Sequence, residues 1–211
     1  MSAQAHSLTP EQYLEIERAA LDRNEYYNGR MYARPISSIS HAIITSNLSG
    51  ELGNALKKRP YFAASCALRL LVSPGGLYTY PDVVVMPSQP KLADRHQDTL
   101  LNPLLLIEVF SPSTEAYDRG FRFEQYRMND TLQEYGLVAQ TEPRVEVFRR
   151  QPSGDWLWSE AVGMDASIRF ESVGCSIKLA EIYSKVAFGA AETDRSRPSP
   201  GSSPARQGGD A

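Results

Sequence analysis

The sequence of 211 residues is poor in the residues that bind zinc or form disulfides. Its two cysteines, Cys66 and Cys175, lie far apart in apolar surroundings, so we expect packed, reduced thiols. The three histidines, His6, His41 and His96, are too few and too scattered for a zinc site. A zinc-dependent or disulfide-stabilised fold is therefore not expected.

Long apolar runs and the common cofactor motifs are also missing. No apolar stretch approaches the ~18 residues of a membrane span, and the N-terminal segment MSAQAHSLTPEQ has no feature of a secretion signal. The sequence contains no phosphate-binding loop, dinucleotide fingerprint, nucleophile elbow or HExxH zinc pair. These absences remove the common ATPase, dehydrogenase, esterase and metalloprotease classes. We expect a cytoplasmic protein that has no membrane partner.

The charge balance shows no strong excess of either sign. The net charge is −3, with 42% hydrophobic and 22% charged residues, which is ordinary for a globular protein with a sizeable core. This balance argues against a surface that binds nucleic acid over its whole extent. It remains compatible with a local basic groove, because phosphates are bound by a patch of the surface.

The chain divides into a domain and a tail. Residues 189–211 are rich in Gly, Pro, Ser and Ala and contain no aromatic or large aliphatic residue. We therefore expect a domain over 1–188 and a disordered C-terminal tail over 189–211. Helical and strand patterns alternate irregularly within the domain, which predicts the α/β (α+β) class: a mixed central sheet with flanking helices.

Capping residues and periodicity locate the individual elements. Thr9 and Pro10 predict the start of a first helix that runs to about Leu21. Asn28-Gly29 predicts a tight hairpin within 25–32. Two further helices are expected at 40–58 and 114–128, and strands at 61–65, 67–72, 80–86, 103–110, 134–139, 144–149, 156–162 and 168–170.

Two carboxylates interrupt apolar runs that are typical of buried strands. Glu108 follows the run 104–107, and Asp82 opens the run 83–85. A carboxylate buried there loses hydration, which costs several kcal/mol unless a cation or hydrogen-bond donors replace the water. If the strands are neighbours, the two acids can share a divalent cation such as Mg²⁺. The alternative is structural: Glu108 pairs with an arginine and Asp82 caps a turn.

Three ordered segments, 80–85, 106–114 and 118–127, carry a family resemblance. They closely resemble the Uma-type restriction endonucleases of bacteria, which are assigned to the PD-(D/E)XK nuclease superfamily. The resemblance extends from about residue 13 to residue 183. It implies a restriction-endonuclease-like fold and a Mg²⁺-dependent endonuclease acting on DNA, with Mn²⁺ as an alternative ion. Because duplex-cutting members often pair their sites, it also implies a homodimer.

The resemblance also implies roles for individual residues. Asp82 and Glu108 match the first and second acids of the superfamily motif, and both would hold the metal. In such sites the backbone carbonyl of the residue after the second acid, here Val109, commonly coordinates the metal. Glu25 matches an N-terminal acid that can complete the cluster.

The sequence departs from the superfamily motif at the lysine position. Phe110 stands two residues after Glu108, and the family lysine has moved onto the following helix, where this chain has Arg122. Arginine stays protonated at any working pH, so we assign it an electrostatic role and leave water activation to the metal. Helical spacing places Asp118, Arg122 and Tyr126 on one face.

The alternative to an active endonuclease is a weakened or inactive nuclease fold that serves as a nucleic-acid-binding or assembly module.

The sequence leaves two alternative roles open for each of four further residues. Tyr26, Tyr27 and Tyr32 surround the predicted hairpin, where aromatic side chains stack on bases or, more commonly, pack on a core. His41 stands at the beginning of its helix, near the site or in a cap. Capping or packing is the favoured expectation for His41.

Overall fold

The computed structural model describes residues 7–34, 37–65, 67–74 and 76–188. Within these ranges the chain forms a six-stranded sheet, a five-stranded sheet and a two-stranded ribbon. The expected α/β (α+β) class, with a mixed central sheet and flanking helices, is confirmed. The expected tail at 189–211 lies outside the described residues, as does Cys66, whereas Cys175 is a buried free thiol.

The helical elements of the described chain are α1 Pro10–Ala19, α2 Ile39–Leu56, α3 Glu115–Tyr117, a π turn Asp118–Arg122, α4 Phe123–Tyr126, a 3-10 turn Glu171–Val173 and α5 Leu179–Ile182. The strands are β1 Asn24–Tyr27, β2 Arg30–Ala33, β3 Tyr61–Ser65, β4 Arg69–Leu71, β5 Tyr78–Thr79, β6 Val83–Pro87, β7 Thr99–Leu100, β8 Leu105–Phe110, β9 Glu134–Ala139, β10 Arg144–Arg150, β11 Trp156–Val162, β12 Ser167–Phe170 and β13 Cys175–Lys178. None of the helices in the described ranges combines the length and apolar character that crossing a membrane requires.

The start of α1 and the hairpin β1–β2 lie where the sequence predicts them. The Thr9 side chain accepts the Gln12 backbone N–H, and the Gln12 side chain accepts the Thr9 backbone N–H, which forms a capping box. Asn28 and Gly29 have φ values of 47° and 79°, the left-handed region that a primed hairpin turn requires. The Leu8 N–H donates to the Gly29 carbonyl at 3.0 Å, so this turn also fixes the entry to α1.

The six-stranded sheet has the order β11-β10-β9-β8-β6-β3, with β8 and β9 parallel. The five-stranded sheet has the order β2-β1-β5-β4-β7, and the chain crosses from one sheet to the other between β5 and β6. The strand expected over 80–86 is confirmed from Val83 as β6, whereas its expected start at residue 80 is wrong. Its physical reason is this crossing, at which Pro81 has no N–H to donate to a ladder. The ladder with β8 begins only at Val83.

Apolar side chains cover both faces of the six-stranded sheet. On one face Val83 and Ile107 belong to a cluster with Leu48 of α2. On the other face Leu106 packs in a cluster with Tyr126 of α4. Since side chains alternate along a strand, positions 106 and 108 of β8 point to the face that α4 covers.

The helix expected over 114–128 is interrupted, because the five-residue π turn separates α3 from α4. A π turn bonds residues five apart, which places residue i close to residue i+5. Tyr117 and Arg122 have this separation, and the guanidinium lies 5.1 Å from the Tyr117 ring centroid. Such turns are rare and frequent at functional sites.

Replacing Gly29 by Ala tests how strongly the hairpin turn is fixed. A Cβ at Gly29 would overlap Ser7, and its φ of 79° is unfavourable for alanine. Gly29→Ala should therefore lower the free energy of unfolding by about 1–3 kcal/mol. The control is Gly50→Ala in α2, where a Cβ meets open space, so helix propensity should raise stability by roughly 0.5–1 kcal/mol. Urea unfolding followed by circular dichroism measures both. Equal effects of the two substitutions would contradict this account.

Candidate active site

The carboxylates of Asp82, which immediately precedes β6, and of Glu108, within β8, lie side by side. Val83 pairs with Ile107 in the antiparallel ladder, which brings the preceding Asp82 next to Glu108. The Asp82 backbone N–H lies 3.4 Å from Glu108 Oε2, and the Val109 N–H donates to Asp82 Oδ2 at 2.9 Å. Both acids are only 3% exposed, so their charges must be balanced by neighbouring groups.

Arg122 connects carboxylates from three separate elements. Its Nη1 lies 2.7 Å from Glu108 Oε1 and its Nη2 lies 2.9 Å from Glu25 Oε1. Its Nε lies 3.2 Å from Asp118 Oδ1. The guanidinium and the three acids are all buried, so removing the cation would leave negative charge uncompensated in the interior.

Two hydroxyl groups complete this network. The Tyr126 hydroxyl donates to Glu108 Oε1 at 2.5 Å, and the Thr79 hydroxyl donates to Glu25 Oε1 at 2.5 Å. Glu108 Oε1 therefore contacts both Tyr126 and Arg122. Its orientation is fixed by these two contacts, with Oε2 on the side of the Asp82 backbone.

Asp82 is held by residues that the sequence did not assign to the site. His41 Nε2 lies 2.9 Å from Asp82 Oδ2, and Arg34 Nη2 lies 3.3 Å from Oδ1. The N-cap of α2 is Ser38, whose hydroxyl accepts the His41 backbone N–H at 3.0 Å. The favoured expectation that His41 caps or packs is therefore wrong for its side chain, because Ser38 caps the helix and the imidazole reaches the carboxylate.

The two neighbouring carboxyl groups have pKa values that are driven apart. Burial raises the pKa of Glu108, and the Asp82 charge adds to this effect while Arg122 opposes it. Burial also opposes ionisation of Asp82, but its hydrogen bonds with His41 and the Val109 amide hold its pKa below the ordinary value. Such a pair shares a proton, or it shares a cation.

A cleft of about 770 Å³ opens over these side chains. Its charged lining residues are the acids Glu25, Asp82, Glu108 and Asp118 and the bases Arg34 and Arg122. With every acid ionised, the four carboxylates exceed the two guanidinium groups of the described lining. Burial raises the pKa of Glu108, and the hydrogen bond with Asp82 raises the pKa of His41 against the effect of burial, so protons offset part of this excess when no cation is bound. One divalent cation would balance that excess.

The donor set fits a divalent cation with a largely hydrated shell. Asp82 and Glu108 offer hard oxygen ligands, and the Val109 carbonyl points to the same side of β8 as its N–H, which contacts Asp82. Among the described residues, no three His, Cys, Asp or Glu side chains form a ready-made metal cluster. Two carboxylates, a carbonyl and waters match the sparse protein shell of Mg²⁺. Glu25 is linked to Glu108 through Arg122.

The chain is similar to known proteins over most of its length. The model of the Uma2 family, described as "Putative restriction endonuclease", matches residues 10–180. "Uncharacterized protein slr1290" of Synechocystis sp. (strain ATCC 27184 / PCC 6803 / Kazusa) is 36% identical over 190 residues, which cover 89% of this chain and 97% of that protein. "Uncharacterized protein sll1609" of the same organism is 34% identical over 163 residues, which cover 77% of this chain and 92% of that protein.

A solved structure shares the fold. The crystal structure of "a putative nuclease belonging to DUF820" from Anabaena variabilis ATCC 29413 superimposes with a TM-score of 0.67 at 20% identity. The superposition covers 84% of this chain and 98% of that chain, so both have the same arrangement of sheets and helices. The matched range 10–180 covers all strands of the candidate site, and the family description supports a nuclease-like role. The chain therefore belongs to the Uma2 family of restriction-endonuclease-like proteins.

Proposed function

We propose that this chain is a Mg²⁺-dependent endonuclease that hydrolyses phosphodiester bonds in DNA. One observation carries the proposal: two buried carboxylates, Asp82 and Glu108, stand side by side in a cleft whose acids outnumber its arginines. The family description as restriction endonuclease supports the reaction class. Mn²⁺ is the alternative ion, because it also suits oxygen ligands.

Asp82, Glu108 and the Val109 carbonyl would hold the metal ion. When bound, the ion would lower the pKa of a coordinated water and offset charge that develops on the phosphate. Asp82 stays ionised near neutral pH, since its contacts with His41 and the Val109 amide lower its pKa. Glu108 is oriented by Arg122. Both ligand carboxylates are thus positioned before substrate arrives, which reduces the reorganisation that the reaction requires.

Arg122 acts in this proposal through its charge. Its contacts with Glu108 and Glu25 keep it in the cleft, where a guanidinium can stabilise negative charge on a phosphate. It cannot accept a proton from water at working pH. The same contacts favour a second candidate, a nuclease fold that binds nucleic acid without efficient cleavage, because Arg122 already occupies one oxygen of Glu108.

Substitution of Asp82 tests the proposed chemistry. Asp82→Asn should lower Mg²⁺-dependent cleavage of supercoiled plasmid DNA by at least about a hundredfold, because it removes an anionic metal ligand. The control is Glu160→Gln, an exposed acid of β11 outside the cleft, which should cleave like the unsubstituted protein. Equal cleavage by Asp82→Asn would mean a contaminating nuclease and contradict the proposal. Absence of cleavage in the unsubstituted protein would favour the second candidate.

Glu108→Gln separates metal binding from turnover. The glutamine keeps an acceptor oxygen for Arg122 and Tyr126 but lacks the charge that a divalent cation requires. Mg²⁺ at about ten times its Kd should stabilise the unsubstituted protein by about 1.4 kcal/mol through mass action. The variant should show no such gain in thermal unfolding. The same Mg²⁺-dependent shift in both proteins would place the ion elsewhere.

Arg122→Lys tests the departure from the superfamily motif. Lysine keeps the positive charge but has no guanidinium fork to occupy several carboxylates at once, which frees Glu108 for a divalent cation. Cleavage should therefore increase by roughly tenfold or more, as measured by initial rates on plasmid DNA. Stability should fall, since the guanidinium contacts with Glu25 and Glu108 are not all replaced. The control is Arg119→Lys, on the same π turn but outside the cleft lining. A folded Arg122→Lys protein that cleaves more slowly would contradict the interpretation that arginine at position 122 weakens the site.

A further inference from the structure

Within the described chain, four aromatic side chains line the same cleft as the carboxylates: Tyr27, Tyr32, Tyr117 and Phe121. The Tyr27 and Phe121 rings meet edge to face with centroids 4.9 Å apart, and Tyr117 stacks on Phe121 at 5.4 Å. Tyr32 and Tyr117 are 48% and 39% exposed, which is high for large aromatic residues. These four residues, termed the aromatic rim, present ring surface to whatever enters the cleft.

The register of the hairpin explains why half of the rim faces the carboxylates. Tyr32 pairs with Glu25 across β1 and β2, and Tyr27 follows Glu25 by two residues, so all three point to one face. Tyr26 points to the other face and stacks on Tyr13 at 5.0 Å. The hairpin tyrosines therefore divide between the core and the cleft.

The charges of the cleft are unsuited to a DNA duplex. Duplex binding depends on many Lys and Arg contacts to phosphates. The described lining holds two arginines, of which Arg34 faces Asp82 and Arg122 faces three carboxylates. A single strand also needs phosphate contacts, but its bases are unpaired, and stacking of a base on an aromatic ring adds binding free energy that a paired duplex does not gain.

We infer that the substrate is a single-stranded or locally unpaired DNA segment, one base of which stacks on the aromatic rim. The inference rests on the proposed nuclease function and names the substrate class of that site. Tyr32 pairs with Glu25, and the Tyr117 ring lies 5.1 Å from the guanidinium of Arg122, which contacts Glu108. A base stacked on these two rings would therefore bring its adjoining phosphodiester into the cleft that Asp82 and Glu108 also line. The cleft volume of about 770 Å³ lies in the range of pockets that enclose small ligands and suits a short stretch of one strand.

Fluorescence anisotropy with fluorescein-labelled oligo(dT) tests the inference, with Ca²⁺ added as an oxygen-binding ion in place of Mg²⁺. The unsubstituted protein should bind oligo(dT) more tightly than a duplex of equal length. Tyr32→Ala should weaken oligo(dT) binding about tenfold, and Tyr32→Trp should restore it, since stacking needs only a ring. The matched control is Phe62→Ala on β3, which is 53% exposed and outside the cleft lining, and which should bind like the unsubstituted protein.

The outcomes separate this inference from the proposed function. Equal affinity for oligo(dT) and duplex, or no effect of Tyr32→Ala, would overturn the inference even if plasmid cleavage depends on Asp82. Loss of oligo(dT) binding in Tyr32→Ala without plasmid cleavage by the unsubstituted protein would support the stacking site and overturn hydrolysis. A dimer that dissociates in Tyr32→Ala, measured by sedimentation velocity, would assign the rim to a second copy of the chain and overturn the inference.

Discussion

The burial of two adjacent carboxylates is the constraint on which the rest of the site depends. Asp82 and Glu108 are brought together by the pairing of β6 with β8. Their repulsion must be relieved by a proton or by positive charge. Arg122 and His41 supply part of that compensation, and each contacts one of the two acids. A proton on Glu108, whose pKa burial raises, or a divalent cation must balance what remains.

The surrounding fold positions this pair of acids and the charged side chains that contact it. The chain passes from the five-stranded sheet to the six-stranded sheet at residues 80–82, so Asp82 lies at the junction between the two sheets. The hairpin β1–β2 brings Glu25 from one side, and the π turn brings Arg122 from the other. Arg122 supports the metal ligands by orienting Glu108, yet it also competes with a cation for that carboxylate. The balance between these two effects decides between a nuclease and a binding module.

Much of this arrangement follows from the sequence, and the exceptions have physical causes. Asp82 and Glu108 are recognisable because carboxylates are unfavourable in buried strands, and their adjacency follows from pairing of those strands. Position 122 is recognisable only through the family resemblance. The π turn has no composition signal, so the helix over 114–128 is expected to be regular. His41 escapes prediction because its contact with Asp82 spans 41 positions and depends on how α2 packs.

The central claim is that Asp82 and Glu108 hold one divalent cation in the cleft. A crystal structure of the protein soaked in Mn²⁺, with anomalous data collected for manganese, tests it most directly. We expect an anomalous peak within direct coordination distance of both carboxylates and of the Val109 carbonyl. A fully occupied peak elsewhere, or no peak while Arg122 keeps its contact with Glu108, would contradict the claim.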